Sequence, residues 1–233
     1  MPPTLRRGLV GLLAALSLLT VLIGVAHTPV GRPLLGLLAR GSGAGACPLG
    51  YDRRATPAER ASARRRFADG HRGATLAQSR PALGFALGAT TRGEIEAWAR
   101  AHGVACGAPR SAADLECRDV PAALLPAAFG GAPLSALWLD FDEQQRLTSA
   151  IAVRRAASAA PIAAALSAIT AAVTDAAGPP SAVDADATAA RLSRAALAQA
   201  SAEFRFRDYY ALARATNLGD GYVLTEEYRS LRD

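Results

Sequence analysis

The residues best suited to chemistry in this sequence are few and widely spaced. Its three histidines are His27, His71 and His102, and none lies at metal-ligand spacing from another histidine, a cysteine or a carboxylate. The sequence has no G-x-S-x-G nucleophile motif, no phosphate-binding glycine loop and no H-E-x-x-H pair. We therefore predict no catalytic site, no metal site and no cofactor.

A cluster of carboxylates is the strongest rival to that prediction. Asp140, Asp142 and Glu143 lie at a hairpin tip, where they could in principle hold Ca²⁺. Their spacing lacks the alternating oxygen ligands and the glycine of a calcium loop, so we predict a plain acidic turn. The functional alternative is an envelope hydrolase, which requires Asp140 and Asp142 to converge with His71 or His102 in one cleft.

The cysteines help to predict the cellular compartment of the chain. Cys106 and Cys117 would close a short loop, and a disulfide there would stabilise the fold by about 3 kcal/mol through loop entropy. Such bonds persist in oxidising compartments; the alternative is two buried free thiols. Cys47 follows small residues but lies about 20 residues beyond the apolar segment, too far for an ordinary lipidation signal. We predict a free or intermolecular thiol there, with lipidation as the alternative.

An uncharged apolar stretch at residues 8–26 determines where these side chains lie. Roughly 19 residues at 1.5 Å each cross the ~30 Å hydrocarbon core of a bilayer as a helix. Arg6 and Arg7 precede the stretch, which favours a cytoplasmic segment 1–7, a transmembrane signal-anchor and a periplasmic bulk. Cleavage after residues 24–26, as in a secretory signal peptide, is the alternative.

The composition indicates a bacterial source. All 26 basic residues are arginine, and alanine, glycine, arginine and proline dominate. We interpret this bias as that of a GC-rich genome, so the pI near 9.9 and the net charge of +6 partly reflect codon usage. They are weak evidence for nucleic-acid binding, which also conflicts with export. We therefore place the chain in the bacterial inner membrane with no nucleic-acid partner.

A basic helix is predicted after the interfacial segment and linker at 27–55. The run from Thr56 to Glu59 combines an N-cap threonine, a proline at the first helical position and a capping-box glutamate, so a basic helix and loop should occupy 56–79. The candidate lipid-contact residues are Arg53, Arg54, Arg60, Arg64, Arg65 and Arg66. Each would contribute about 1 kcal/mol near anionic headgroups; the alternative, which we favour, is a solvated charged face.

The first α+β unit is predicted at 80–156. It starts with a strand at 81–88, followed by a helix capped by Thr90 or Thr91. Alternating apolar residues predict a hairpin over 137–153 with one apolar face, to which its second strand contributes Leu147, Ile151 and Val153. We expect the helix to cover that face.

The second unit, at 157–233, repeats the order of helix and hairpin. Its helix opens at Pro161 and carries one apolar stripe. Asp186 is predicted to cap an alanine-rich helix to Gln199, and a strand at 202–216 precedes an NLGDG turn and a return strand. The two units are predicted to form tandem modules or one shared sheet.

Aromatic side chains are concentrated in the last predicted hairpin. The candidate partner patch is Tyr209, Tyr210, Tyr222 and Tyr228. Outward-facing tyrosines would form a binding surface, and core packing is the alternative. Glu226 and Glu227 are predicted to pair with Arg205 or Arg207 across this hairpin, in a structural role.

One segment supports a family resemblance. The run from Leu87 to Ile95, LGATTRGEI, is followed by a hairpin from Leu139 to Leu147. Residues 83–155 resemble the small helix-plus-antiparallel-sheet modules of bacterial envelope proteins of the SmpA/OmlA (BamE-like) type. The resemblance implies a module that binds other envelope components and has no catalytic site.

The sequence therefore predicts an α+β protein with an N-terminal transmembrane helix and an exported region of two helix-plus-antiparallel-hairpin units. We expect a non-catalytic binding or assembly module with a single membrane span and an envelope protein partner. The alternatives are an envelope hydrolase and a protein that binds anionic lipid.

Overall fold

The structure, a computed structural model, describes residues 56–107, 114–129, 131–184 and 188–232. Pro57–Asp233 fold as one unit. Several predictions lie outside the described residues: segments 1–7, 8–26 and 27–55, the residues Cys47, Arg53 and Arg54 within them, and the helix cap Asp186.

The described elements form one antiparallel sheet with helices around it. The helices are α1 (Pro57–His71), α2 (Arg92–Ala101), α3 (Ala159–Ala177) and α4 (Ala189–Leu192). The strands are β1 (Pro81–Ala82), β2 (Phe85–Ala86), β3 (Cys106–Gly107), β4 (Asp114–Val120), β5 (Leu134–Phe141), β6 (Leu147–Ala156), β7 (Ala182–Val183), β8 (Gln199–Arg205), β9 (Tyr209–Asn217) and β10 (Tyr222–Ser230). β1 and β2 pair with each other, and the other eight strands form one sheet in the order β3-β4-β5-β6-β10-β9-β8-β7. The α+β class is confirmed, and the two predicted units share this sheet.

One side of the sheet packs against α3 and holds the hydrophobic core. The predicted apolar stripe of α3 is buried there: Ile162, Leu166, Ile169 and Val173. Gly178, whose φ is 121°, ends the helix. We expected α2 to cover the first hairpin, but α3 is the main cover; α2 adds Ile95 and the half-buried Trp98 to the same core.

By length and composition alone, α3 is the one helix in the described part of the chain that could span a membrane. Its buried stripe packs on the sheet. Burial of this kind is the ordinary reason for the apolar composition of a core helix.

A β-bulge in the β5–β6 hairpin decides which residues of β6 face the core. The register shifts beside Phe141, which pairs with Leu147, so that β6 carries one extra residue. Leu147 is buried, whereas Ile151 and Val153 lie on the opposite side of the sheet and small alanines take the core positions. The expected grouping of Leu147 with Ile151 and Val153 on one face is wrong for this reason.

The segment 202–216, predicted as one strand, is two strands joined by a tight turn. The Phe206 N–H donates to the Tyr209 carbonyl at 2.8 Å and reverses the chain. Asp208 in this turn is buried, and its carboxylate accepts a hydrogen bond from the Arg232 guanidinium at 3.0 Å. The partner of Asp208 in this turn is distant in the sequence, so the local sequence did not indicate a turn here.

The alanine-rich helix predicted to reach Gln199 is a single turn, α4. Its N-cap is Thr188, whose side chain accepts a hydrogen bond from the Arg191 N–H at 3.2 Å. From Gln199 the chain is strand β8, because alternate residues can be buried against the core there. Pairing in the sheet therefore overrides the helix propensity of alanine.

Other predicted boundaries are close to the observed ones. Thr91 caps α2, and its hydroxyl accepts from the Glu94 N–H while the Glu94 carboxylate accepts from the Thr91 N–H, a capping box. The hydrogen bonds that the Glu94 carboxylate accepts from the Thr91 N–H and hydroxyl lower the pKa of Glu94. The predicted strand at 81–88 is the hairpin β1–β2, and α3 starts after Ser158, a little before Pro161.

Gly73 marks a close approach of two chain segments. A Cβ atom there would lie 2.0 Å from the Arg205 carbonyl oxygen. Gly73→Ala must separate the segment after α1 from the β8–β9 turn, and we expect a loss of about 1–3 kcal/mol in the free energy of unfolding. Urea-dependent proteolysis of the full chain in detergent measures it.

The matched control for this substitution is Gly70→Ala. Gly70 lies in α1, and apart from its chain neighbours and the backbone of its own helix nothing lies within 4 Å of the position of its Cβ. Alanine there should stabilise the helix by roughly 0.5–1 kcal/mol. If both substitutions changed the free energy of unfolding by the same amount, the close approach at Gly73 would not contribute to stability.

Candidate binding face

The side of the sheet opposite α3 is the candidate functional site. We call it the open face and define it by the outward residues of the longer strands: Asp114, Glu116 and Arg118 of β4; Ala136, Trp138 and Asp140 of β5; Ser149, Ile151, Val153 and Arg155 of β6; Val223, Thr225, Glu227 and Arg229 of β10; Tyr210, Leu212, Arg214 and Thr216 of β9; and Gln199, Ser201, Glu203 and Arg205 of β8. The register aligns these residues in rows that run across the strands, about 4.8 Å per strand.

Helix α1 covers one end of the open face. The Phe67 ring stacks on His71, with 4.1 Å between ring centroids, and meets the Tyr210 ring edge-on at 5.2 Å. The Arg229 guanidinium lies 4.4 Å from the centre of the Phe67 ring, a cation–π contact. These neighbours leave Tyr210 3% exposed, and burial raises the pKa of its phenol.

Large apolar side chains continue along the open face beyond these contacts. Trp138 pairs with Ile151, and Val153 pairs with Thr225 in the next row. All are partly exposed. A sheet with one solvated face normally carries polar side chains on it, so this apolar strip indicates a binding surface.

Charge divides the open face along its rows. The carboxylates lie in the two rows nearest the α1 contacts: Asp114, Asp140, Glu116, Glu203 and Glu227. The two rows beyond them hold Arg118, Arg155 and Arg214 and, next to the β7 edge, one carboxylate, Asp184, which accepts a hydrogen bond from Ser201 Oγ at 3.0 Å. Arg118 forms an ion pair with Glu116; Arg155 and Arg214 are exposed and pair with no described carboxylate. One half of the face is therefore positively charged.

The four candidate tyrosines do not form one exposed patch. Tyr209 and Tyr228 are 0% and 1% exposed, and burial raises the pKa of both phenols. Tyr210 lies under α1, and Tyr222 is half-buried with its hydroxyl 3.3 Å from Ser193 Oγ. Tyr209 and Tyr210 are consecutive in one strand and face opposite sides of the sheet. Core packing, the alternative, is therefore correct for Tyr209 and Tyr228.

Arg154 and Glu226 form a fully buried ion pair in the core. Arg154 Nε donates to Glu226 Oε1 at 2.5 Å, and the Tyr228 hydroxyl donates to Oε2 at 2.7 Å. The guanidinium also donates to the carbonyls of Phe129 and Ala132. Burial raises the pKa of Glu226, and Arg154 opposes that effect. The network fastens the loop before β5 to the sheet, which is a structural role.

The predicted pairing of Glu226 and Glu227 with Arg205 or Arg207 is wrong. β10 lies between β6 and β9, so Glu226 meets Arg154 of β6 in the core. On the open face Glu227 pairs with Arg229 of its own strand. The sequence indicates only that β10 pairs with β9, its partner in the hairpin. It does not indicate that β6 pairs with the other side of β10.

In the described part of the chain, the residues of the hydrolase alternative lie on separate elements, and Asp140 stands three strand spacings, about 14 Å, from Tyr210 in the same row of the open face. His71 packs on Tyr210 of β9, whereas His102 follows α2, with Nδ1 2.8 Å from the Trp98 carbonyl oxygen. Asp142 Oδ1 accepts a hydrogen bond from a backbone N–H across the β5–β6 turn, as in the predicted acidic turn. No three His, Cys, Asp or Glu residues described here form a metal-binding group.

Both edges of the sheet are short. At one edge β3 has two residues, and the Cys106–Cys117 disulfide ties it to β4; the predicted bond is confirmed. At the other edge β7 also has two residues. Short edge strands discourage strand addition, so the open face is the better candidate for recognition.

The candidate lipid-contact arginines that the structure describes lie on α1. Arg64, Arg65 and Arg66 are exposed, and Arg60 is half-buried. Arg66 Nη1 donates to Ser62 Oγ at 2.7 Å. The favoured prediction of a solvated charged face agrees with this exposure.

The fold and the open face define a class: an α+β protein whose eight-stranded antiparallel sheet is covered by a long helix on one side and carries a mixed apolar and charged surface on the other. The chain matches no protein-family model, no curated protein and no solved structure. The resemblance to the SmpA/OmlA type therefore remains a sequence-based prediction.

Proposed function

We propose that this protein is a non-catalytic binding module of the bacterial envelope, anchored in the inner membrane through its N-terminal segment. The observation that carries the proposal is the open face, where Trp138, Ile151 and Val153 are partly exposed. A mixed surface of apolar, aromatic and arginine side chains is typical of protein interfaces. We propose an envelope protein as the partner.

The proposed periplasmic location draws on the disulfide. Cys106 and Cys117 are cross-strand neighbours in β3 and β4, and their bond closes the edge of the sheet. Structural disulfides of this kind persist in oxidising compartments. Export past the inner membrane supplies such a compartment.

Photo-crosslinking in intact cells tests the proposal. A benzoylphenylalanine probe placed at Val223 of the full chain, on the open face, should form a defined adduct with an envelope protein. The same probe at Ser167, an exposed position of α3 on the other side of the molecule, is the matched control and should form none. Equal adducts at both sites, or none at Val223, would remove the proposal.

A further inference from the structure

We infer that the open face binds an acidic protein segment, and that its arginine half supplies the recognition. The arginine half consists of Arg118, Ala136, Val153, Arg155, Arg214, Val223 and Thr225. The inference rests on the proposed function and adds the chemistry of the partner. Its basis is the unequal distribution of charge on this face: five carboxylates lie in the two rows nearer α1, whereas the rows beyond hold three arginines and one carboxylate, Asp184 at the β7 edge.

The register sets the spacing of the arginines. Arg118 and Arg214 stand in the same row on β4 and β9, four strand spacings or about 19 Å apart. Arg155 lies in the next row, on β6 between them. An extended chain rises about 3.3 Å per residue, so a segment of roughly six residues could reach across all three guanidinium groups.

The arginines are available for a ligand. The Arg118 side chain is 67% exposed although it forms an ion pair with Glu116. Arg155 and Arg214 are exposed too. Guanidinium groups bind carboxylates in a bidentate geometry, so each arginine can take one acidic side chain.

The small side chains between the arginines favour a protein segment over a lipid surface as the ligand. Ala136, Val153 and Thr225 form a continuous row between Arg118 and Arg214. Ala136 is already buried, and a segment with small apolar side chains between its carboxylates would bury the partly exposed Val153 and Thr225. A bilayer surface has no such side chains to offer, and the exposed arginines of α1 are the better candidates for lipid headgroups.

Two triple variants of the full chain test the inference. Arg118, Arg155 and Arg214 are replaced by Gln in the face variant, and Arg64, Arg65 and Arg66 in the helix variant. Each lowers the formal net charge from +6 to +3, because three arginines are lost. Melting curves first establish that both variants fold like the parent chain.

The probe is a fluorescein-labelled peptide of alternating glutamate and alanine, titrated by anisotropy against the chain in zwitterionic nanodiscs. The face variant should weaken its binding by about tenfold, the combined effect of three exposed ion pairs, and the helix variant should change it by less than about twofold. A peptide with lysine in place of glutamate should not bind.

Three outcomes would overturn the inference: no binding of the glutamate peptide at low salt, equal weakening by both variants, or loss of binding to phosphatidylglycerol vesicles in the face variant alone with the peptide unaffected. The last outcome would assign the arginine half to lipid. A crosslinked partner at Val223 together with any of these results would leave the proposed binding function in place and reject only its acidic chemistry.

Discussion

Arg154→Met is expected to destabilise the folded unit by about 3–5 kcal/mol, because it leaves the Glu226 carboxylate buried without its cation. Arg154 and Glu226 are both 0% exposed. The substitution also removes the donors to the carbonyls of Phe129 and Ala132. Urea-dependent proteolysis of the detergent-solubilised full chain measures the loss.

The effect should depend on pH. Burial already raises the pKa of Glu226, and loss of Arg154 raises it further. A carboxyl group with a raised folded-state pKa contributes stability that is fully present below its unfolded pKa and is lost as pH rises through the folded pKa. The Arg154→Met chain should therefore be closest to the parent chain in acid and furthest from it at neutral pH.

Arg155→Met is the matched control for this prediction. Arg155 is the next residue of β6, but it lies on the open face and is exposed. The same change of charge and volume there should alter stability by no more than about 0.5 kcal/mol. Equal changes in stability for Arg154→Met and Arg155→Met would show that the buried ion pair does not stabilise the fold.

Replacement of Cys106 and Cys117 by serine is expected to cost about 3 kcal/mol, the loop entropy that the disulfide removes from the unfolded chain. Cys117 is 0% exposed, so its serine replacement adds a small desolvation penalty. The same proteolysis assay measures the loss, and Cys47→Ser is the control, since a lone thiol closes no loop.

The state of this bond in cells tests the location. If thiols are trapped by acid at lysis, the wild-type chain should carry Cys106 and Cys117 oxidised, and a reductant should be needed before either reacts with a maleimide. Free thiols at both positions would place this part of the chain in a reducing compartment and contradict the envelope proposal.

The sequence predicted the features that depend on short-range patterns. The capping box of Thr91 and Glu94 spans a single helical turn, and the stripe that starts at Ile162 follows from helical periodicity alone. The Cys106–Cys117 pair also lies within one short loop. Each of these signals is complete within a few residues, so no knowledge of the tertiary fold is needed.

The missed features depend on register between distant strands. Arg154 and Glu226 are 72 residues apart, and nothing near either residue indicates the other. The bulge beside Phe141 moves Ile151 and Val153 out of the core, although simple alternation places them with Leu147. The arginine half of the open face exists only once β4, β6 and β9 are in register, so it could not be seen in the sequence.

The position of β10 also constrains how the molecule can be made. This strand comes last in the described chain, yet it lies in the middle of the sheet, between β6 and β9. The two halves of the sheet share no backbone hydrogen bonds until β10 pairs with both β6 and β9, so the core cannot close before β10 has been synthesised. Contacts between sequence-distant segments are slow to form, so the segments made before β10 stay incompletely folded for longer, which would suit the export that we propose.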